Sequence, residues 1–115
     1  MRISTNNNDL VQKYLQIFYE SGCMDDLAEI CHQDLKFIGP FLSSGSLEAY
    51  VGSLKNDPPE SSIYEIIEWF ENDHKINVFY QFSKDDINTL MSQYFECRDG
   101  KISKITLIFD SKVFE

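Results

Sequence analysis

Residues 63–110 read IYEIIEWFENDHKINVFYQFSKDDINTLMSQYFECRDGKISKITLIFD, and the pattern in this segment indicates the type of domain. It is rich in aromatic and β-branched residues, which favour the pleated surface of a sheet. Polar clusters at 72–75 and 83–86 interrupt it, as does Asp99-Gly100, a pair typical of tight hairpins because glycine tolerates positive φ. The pattern predicts four long strands in meander order, at about 63–72, 76–83, 87–98 and 101–110.

Two helices are predicted near the amino terminus. Apolar residues at three- and four-residue intervals between Leu10 and Phe18 indicate an amphipathic helix from about Asn8 to Ser21, and Gly22 ends it. Asp25 can cap a short second helix that finishes near His32. The residues of this second helix expected to face inward are Leu27, Ile30 and Cys31.

A short strand and a third helix complete the amino-terminal half. The strand is expected over Asp34 to Ile38, and Gly39-Pro40 ends it because proline cannot donate to a strand ladder. A loop through residues 43–45 follows, and Ser46 is a plausible cap for the third helix. Pro58-Pro59 prevents that helix from continuing. Helices first and a meander second predict an α+β domain with helices packed on one sheet face.

Length and charge narrow the classes of partner. A chain of 115 residues is enough for one core, so a single domain is predicted over residues 1–115. The formal charge of −9 repels phosphate backbones and anionic lipid surfaces, which argues against nucleic acid and membrane partners. No apolar run approaches the roughly 20 residues that cross a bilayer, and residues 1–9 are polar rather than signal-like. A cytoplasmic location is therefore expected.

Three features together resemble the nuclear transport factor 2-like superfamily, which includes ketosteroid isomerases, scytalone dehydratase and SnoaL-like polyketide cyclases. The first is the order of elements, with the strand segment 34–40 between helices and the meander last. The second is Tyr94 to Ile105, YFECRDGKISKI, which looks like the family's penultimate strand, hairpin and last strand. The third is Asp110, an acid just after the apolar end of that strand. The resemblance spans the whole chain.

The resemblance implies a cystatin-like cone, in which a strongly bent antiparallel sheet wraps around the amino-terminal helices and encloses a partly apolar cavity. Such cavities hold small apolar or aromatic molecules and contain a few convergent polar groups. Plain core packing is the competing interpretation for each aromatic residue. The residues expected to line the cavity are Tyr14, Phe18, Phe37, Phe41, Tyr50, Tyr80, Met91, Gln93 and Phe95.

The chemistry of the enzymes in this superfamily is not matched at two positions. Aligning segment 34–40 with the isomerases places Gly39 where their carboxylate base stands, and aligning 94–101 places Gln93 where a second acid stands. An amide has no proton to exchange near neutral pH, so Gln93 can orient a ligand but cannot replace an acid. The remaining catalytic candidates are Tyr14, His32 and Asp110, for which helix packing, helix-end capping and solvation are the competing interpretations.

No cofactor or metal is expected. The three cysteines, Cys23, Cys31 and Cys97, lack CxxC spacing, and the adjacent acidic pairs at 25–26 and 85–86 do not resemble a calcium loop. Ile63 to Phe70 is apolar on both strand faces, whereas the helices cover only one, so a homodimer through the outer face is predicted. The leading hypothesis is a small-molecule-binding domain. The alternatives are an isomerase, cyclase or dehydratase with a rearranged site, and a protein-interaction or assembly module.

Overall fold

Four long antiparallel strands form the body of the fold. A computed structural model describes residues 7–21, 23–56 and 62–114. The strands within these ranges are β1 (Cys31–Ile38), β2 (Ser43–Ser44), β3 (Ile63–Asn72), β4 (Lys75–Lys84), β5 (Ile87–Arg98) and β6 (Lys101–Ile108). They form one hydrogen-bonded sheet of six strands in the order β2-β1-β6-β5-β4-β3. The four predicted meander strands are confirmed, and their ends differ from the prediction by two residues at most.

Two α-helices and three short helical segments accompany the sheet. The α-helices are α1 (Asn7–Gln16) and α2 (Leu47–Asn56). A π-helical turn (Ile17–Ser21) continues α1, and two 3₁₀ helices cover Met24–Glu29 and Ser111–Phe114. Gly22, Pro58 and Pro59, which were expected to end helices, lie outside the described residues. No helix in the described ranges is long and apolar enough to span a membrane.

The short second helix ends earlier than predicted. It is a 3₁₀ helix that finishes at Glu29, and the following strand begins at Cys31 rather than at Asp34. The reason is that β1 pairs in parallel with β6, with Cys31 opposite Ile102. The Ile102 N–H donates to the Ile30 carbonyl oxygen at 2.8 Å, which fixes the first rung of this pairing. Residues that were expected to extend the helix therefore join the sheet.

The predicted cap of that helix is also wrong. Cys23 occupies the position before the first helical residue, and no side-chain hydrogen bond caps the helix. Asp25 lies within the first turn and forms an ion pair with Lys55 of α2, with 2.8 Å between Oδ1 and Nζ. The predicted cap of α2 is confirmed, because the Ala49 N–H donates to Ser46 Oγ at 3.2 Å.

The loop predicted at residues 43–45 contains a short strand. The Gly39 N–H donates to the Leu42 carbonyl oxygen at 2.9 Å, which turns the chain back after β1. Ser43 and Ser44 then pair antiparallel with Ile38 and Phe37. To the four antiparallel strands, β1 thus adds a parallel pair with β6, and β2 adds a short antiparallel pair with β1. The complete sheet is therefore mixed.

The core lies between the helices and the inner face of the sheet. Alternate residues of β4 point inward, and their partners on β5 share that face, as in the pairs Ile76–Phe95 and Tyr80–Met91. The buried residues of α1, which cover this face, are Leu10, Val11, Tyr14 and Leu15. Burying each large apolar side chain contributes roughly 1.5–3 kcal/mol. The opposite, outer face exposes apolar side chains, among them Ile38, Phe70, Leu90 and Ile108.

Candidate functional site

Four tyrosine hydroxyls and one amide meet in the interior of the cone. The hydroxyls of Tyr14 on α1 and Tyr50 on α2 lie 2.5 Å apart. The hydroxyl of Tyr80 on β4 lies 2.8 Å from that of Tyr19 on the π-helical turn. The Gln93 Nε2 of β5 donates to the Tyr80 hydroxyl at 2.9 Å. We call these five residues the hydroxyl cluster.

The π-helical turn explains why Tyr19 belongs to the cluster. In an α-helix the neighbours of Tyr14 on one face are residues 17 and 18, and residue 19 is turned away. A π-helix bonds residue i to residue i+5, so its wider turn brings Tyr19 to the same side as Tyr14. Single π turns occur frequently at functional sites. The apolar stripe alone could not reveal Tyr19, because the stripe follows the α-helical period.

Burial keeps the cluster neutral. Loss of hydration is the main cause that raises the pKa of Tyr14, Tyr19, Tyr50 and Tyr80 well above the ordinary tyrosine value. Neighbouring phenols raise the pKa of Tyr14 and Tyr80 further. A neutral phenol donates one hydrogen bond and accepts others, but it does not act as a base. The cluster can therefore bind and orient a polar atom.

The hydroxyl cluster has more donors than it uses internally. Each tyrosine pair contains two O–H groups, and one hydrogen bond between the two oxygens occupies only one of them. Among the described residues, no further acceptor takes the second proton of either pair. One hydroxyl proton per pair is thus available to an acceptor atom brought in from outside.

Most of the residues expected to line a cavity either belong to the hydroxyl cluster or pack against it. Phe37 stacks on Tyr50 with 4.4 Å between ring centroids, and Phe95 contacts Tyr14 edge-on at 5.3 Å. Phe18 stacks on Tyr14 at 5.8 Å and is half-buried. The seven that are buried are Tyr14, Phe37, Tyr50, Tyr80, Met91, Gln93 and Phe95. These side chains pack against one another, so the interior is apolar with a polar centre.

Phe41 differs from the other predicted cavity residues, because 65% of its surface is exposed. Its ring contacts Phe109 at 5.5 Å and Phe114 at 5.8 Å, and Phe114 in turn contacts Phe82 at 5.8 Å. These four rings form an aromatic cap at the end of the sheet where β4 ends and β5 begins. Phe82, Phe109 and Phe114 were not among the residues predicted for the site. Their signal was the apolar run at the end of β6, followed by a further phenylalanine five residues on.

The three catalytic candidates are not brought together. His32 is bonded through Nε2 to the Arg98 carbonyl oxygen at 2.7 Å, next to the β5–β6 hairpin. Asp110 is exposed at the other end of β6, where its Oδ1 accepts the Lys112 N–H at 3.0 Å and caps the last 3₁₀ helix. Tyr14 alone is in the interior. Only Tyr14 of the three therefore belongs to the hydroxyl cluster.

The structure also shows the surroundings of Gly39 and Gln93, the two positions that the resemblance aligned with acids of the isomerases. A Cβ atom at Gly39 would lie 3.0 Å from Phe37 Cε1, so a carboxylate there would require the Phe37 ring to move. Gln93 is 2% exposed, and its amide is held by Tyr80. A glycine beside an aromatic ring and a buried amide therefore occupy the two positions that were aligned with those acids.

A surface groove of about 740 Å³ lies away from the cluster, between the first 3₁₀ helix, β1 and α2. Its lining includes Asp34, Glu48 and Val51, with the Lys55–Asp25 ion pair at one side. None of its lining residues belongs to the hydroxyl cluster. We regard the cluster as the better candidate site, because buried polar groups converge only there within the described residues.

Comparison by sequence yields no match: no protein-family model and no curated protein matches this chain. Comparison of structures yields many. A nuclear transport factor 2-like protein of unknown function from Cytophaga hutchinsonii has a TM-score of 0.82 at 17% identity, and the match covers 100% of both chains. A second such protein, from Burkholderia pseudomallei, has a TM-score of 0.83 at 11% identity and covers 96% of this chain and 95% of its own.

A third similar structure contains a ligand. TerC, co-crystallised with polyporic acid, has a TM-score of 0.78 at 15% identity, and the match covers 94% of each chain. Identities this low establish the architecture alone. The resemblance inferred from the strand order and the Tyr94–Ile105 segment is confirmed at that level, and the chain has the nuclear transport factor 2-like cone fold.

Proposed function

We propose that residues 1–115 form one small-molecule-binding domain, and that the hydroxyl cluster holds the oxygen atom of an apolar or aromatic ligand. The observation that carries this proposal is the spare proton in each of the two buried tyrosine pairs. A buried O–H group that donates to no acceptor forgoes a hydrogen bond that contributes about 1 kcal/mol, and a ligand oxygen would supply that acceptor. A carbonyl or ether oxygen would accept both protons.

The composition of the surrounding walls supports the same class of ligand. Phe37, Phe95 and Met91 offer apolar contact, and Gln93 fixes the orientation of Tyr80. Binding sites for small molecules commonly combine apolar walls with a few placed polar groups. The similar structure of TerC, crystallised with polyporic acid, indicates that this fold accommodates a small organic molecule.

A ligand would reach the cluster by displacing the aromatic cap. Phe41 and Phe114 are the outermost rings of the cap, and Phe114 lies on a 3₁₀ helix of four residues. So short a helix has little stability of its own, because most helical stability comes from packing. We expect its displacement to open the path to the interior.

The enzymatic alternatives receive less support from these residues. Isomerases, cyclases and dehydratases move a proton, which requires a group that gains or loses one near neutral pH. The cluster contains neutral phenols and an amide. His32 lies next to the β5–β6 hairpin, whereas Asp110 follows the opposite end of β6. Binding without chemistry is therefore the function that we favour. A cytoplasmic location stays a prediction from the sequence.

The test compares two matched probes, 2-acetylnaphthalene and 2-ethylnaphthalene, by titration calorimetry. The two probes share the naphthyl ring and a two-carbon chain, and the ketone alone carries an oxygen acceptor. We expect the ketone to bind about tenfold more tightly, because one net hydrogen bond contributes about 1–1.5 kcal/mol. The double substitution Tyr14→Phe and Tyr50→Phe removes both hydroxyls of one pair, including its spare donor, and should reduce that preference.

Tyr94→Phe is the matched control for this test. Tyr94 lies on the outer face, and its hydroxyl donates to Glu96 Oε2 at 2.9 Å. Its substitution should leave the preference for the ketone unchanged. Equal affinities for the two probes in the unaltered protein, or no binding of either, would reject the hydroxyl cluster as a ligand site.

A second candidate function, self-association through the outer sheet face, is favoured by a separate observation. Leu90 and Ile108 are more than half exposed on this face, where Phe79 packs edge-on against Phe70 at 6.0 Å. Glutamates 65 and 68 lie on β3, and lysines 36 and 104 lie on β1 and β6 at the other side of the sheet. We propose a homodimer in which a two-fold axis sets the acidic side of one sheet against the basic side of the other.

Light scattering at micromolar concentration tests the dimer. Leu90→Lys places a charge in the middle of the outer face, and we expect the measured mass to halve. Ala49→Lys, on the exposed side of α2, is the control and should keep the mass of the unaltered protein. A monomeric mass for the unaltered protein would contradict the proposal directly.

A further inference from the structure

A pocket of about 480 Å³ opens between the π-helical turn and the start of the edge strand β3. It lies outside the hydroxyl cluster, although Tyr19 takes part in both. The residues that line this side pocket are Tyr19, Glu20, Ser62, Ile63, Tyr64 and Ile66. They combine two phenol rings, one carboxylate, one hydroxyl and two aliphatic side chains, a set that indicates a specific class of ligand.

The carboxylate of the side pocket is held in place but not neutralised. The Tyr64 hydroxyl donates to Glu20 Oε2 at 2.8 Å, which orients the carboxylate. Glu20 forms no ion pair with any residue in the described ranges. Burial, followed by the bond to Glu20, raises the pKa of Tyr64 to about 12, so Tyr64 stays a neutral donor. The pocket therefore retains a full negative charge beside an aromatic surface.

The two aromatic rings lie directly beside this charge. The ring centroids of Tyr19 and Tyr64 are 4.8 Å apart, with an angle of 30° between the ring planes. The electron-rich face of a phenol ring attracts a cation that approaches within about 6 Å. The Tyr19 hydroxyl is bonded to Tyr80, so this residue offers the pocket its ring rather than its oxygen.

An unsatisfied buried group adds an independent observation. The Oγ atom of Ser62 is buried and has no hydrogen-bond partner among the residues that the structure describes. Such orphaned polar atoms are uncommon, and each one calls for an explanation. Ser62 lines the same pocket as Glu20 and Tyr64, so a ligand bearing a hydroxyl or an N–H group could satisfy it.

From these observations we propose that the side pocket binds a small organic ammonium ion with a short polar substituent. The carboxylate of Glu20 neutralises the charge, the rings of Tyr19 and Tyr64 contact the ammonium methyl or methylene groups, and Ser62 binds the polar substituent. The exposed side chains of Ile63 and Ile66 cover its aliphatic part. The formal net charge of −9 concentrates cations around the protein and favours the same class.

Other classes of ligand fit this pocket less well. An anion would be repelled by Glu20, and among the residues that the structure describes no lysine or arginine lines the pocket to offset the repulsion. A hard metal ion such as calcium takes six or more oxygen ligands, whereas the pocket offers one carboxylate and one free hydroxyl. A neutral apolar ligand would leave the carboxylate without a partner.

The test is an amide NMR titration with choline and with 3,3-dimethylbutan-1-ol, which has the same shape and no charge. In the unaltered protein we expect choline to shift the resonances of residues 19, 20 and 62–66, and the neutral alcohol to bind at least about tenfold more weakly. Raising the salt concentration should weaken choline binding, because the attraction is between charges.

Glu20→Gln keeps the size of the side chain and removes its charge. We expect it to weaken choline binding at least about tenfold while leaving resonances outside the pocket unshifted. Glu48→Gln, on the exposed side of α2, is the matched control and should not change choline binding.

Two results would overturn this proposal. Equal binding of choline and the neutral alcohol by the unaltered protein would exclude a cation site, whether or not the Glu20→Gln variant folds. Choline shifts that map away from residues 19, 20 and 62–66 would exclude this pocket. Neither result depends on the naphthyl probes, so the side pocket and the hydroxyl cluster can fail separately.

Discussion

Strands β3 and β4 are neighbours of equal length and similar apolar character, yet only β4 is buried. On the inner face of β4, Ile76 and Tyr80 are 0% exposed. On the same face of β3, Ile66 is paired with Tyr80 and is 41% exposed. The difference follows from position, because β4 has a strand on each side and helices above it, whereas β3 is the edge of the sheet.

The comparison shows that apolar character in a strand predicts the strand but not its burial. Branched and aromatic side chains favour the extended backbone wherever the strand lies. A shift in register between Ile66 and Glu68 places Ile67 outside the regular pairing, and such bulges are common on edge strands. The apolar side chains of β3, such as Ile63, Ile66 and Phe70, consequently stay exposed.

The largest expected effect comes from the same substitution on the two strands. Ile76→Ala should lower the free energy of unfolding by about 2–5 kcal/mol, because it leaves a cavity in the core. Ile66→Ala should lower it by less than about 1 kcal/mol, since its side chain already contacts water. Urea unfolding measures both. Equal losses would show that β3 is covered in solution by another part of the chain or by a partner.

An intermediate effect is expected inside the hydroxyl cluster. Tyr14→Phe removes one partner of a buried hydroxyl pair and should cost about 1–3 kcal/mol of stability. Adding Tyr50→Phe should cost less than the sum of the two single substitutions, because the double variant leaves no unpaired hydroxyl. Tyr94→Phe on the outer face should change stability by less than about 0.5 kcal/mol. Additive losses for Tyr14 and Tyr50 would contradict their pairing.

The smallest effect is the contribution of a single buried tyrosine to the pH dependence of the free energy of unfolding. Burial raises the pKa of Tyr80 well above the value near 10 at which it ionises in the unfolded chain. The unfolded state therefore loses its proton first, so this contribution is intact below about pH 10 and is lost as the pH rises toward the raised pKa. For Tyr80 the slope approaches about 1.4 kcal/mol per pH unit.

Urea unfolding between pH 9 and 11 gives that slope. Tyr80→Phe should make it shallower, whatever its effect on stability at pH 9. Phe82→Leu changes packing on the same face without altering an ionisable group, so it should keep the slope of the unaltered protein. An unchanged slope in Tyr80→Phe would mean that Tyr80 is accessible to water.

The hairpin turns and the cap of α2 were predictable from single residues, whereas the cap predicted at Asp25 was wrong. Asp99 and Gly100 have φ values of 54° and 78°, and Asp73 and Asp85 begin the other two hairpins with φ of 55° and 54°. Aspartate and glycine tolerate this left-handed region, so the residue type carries the signal. The cap at Ser46 was predictable because its hydroxyl lies three residues before the Ala49 N–H, from which it accepts a hydrogen bond.

The candidate site was predictable only in part. Tyr14 and Tyr50 were recognised as interior residues, whereas Tyr19 was missed because a π turn displaces it from the α-helical stripe. Phe41 was expected in the cavity and lies instead on the aromatic cap, because the turn from Gly39 to Leu42 directs it outward against Phe109. Each difference arises from a contact that a local pattern does not encode.

Backbone preference and turn chemistry act over a few neighbouring residues, so the amino-acid sequence was enough to predict the four meander strands, their hairpins and the helices that precede them. Three features could be seen only in the folded chain: which strand forms the edge, the pairing of Cys31 with Ile102, and the meeting of the Tyr14 and Tyr50 hydroxyls across 36 residues of sequence. Those outcomes depend on how distant segments pack together. The same distant packing produced both pairs of the hydroxyl cluster and the side pocket beside β3.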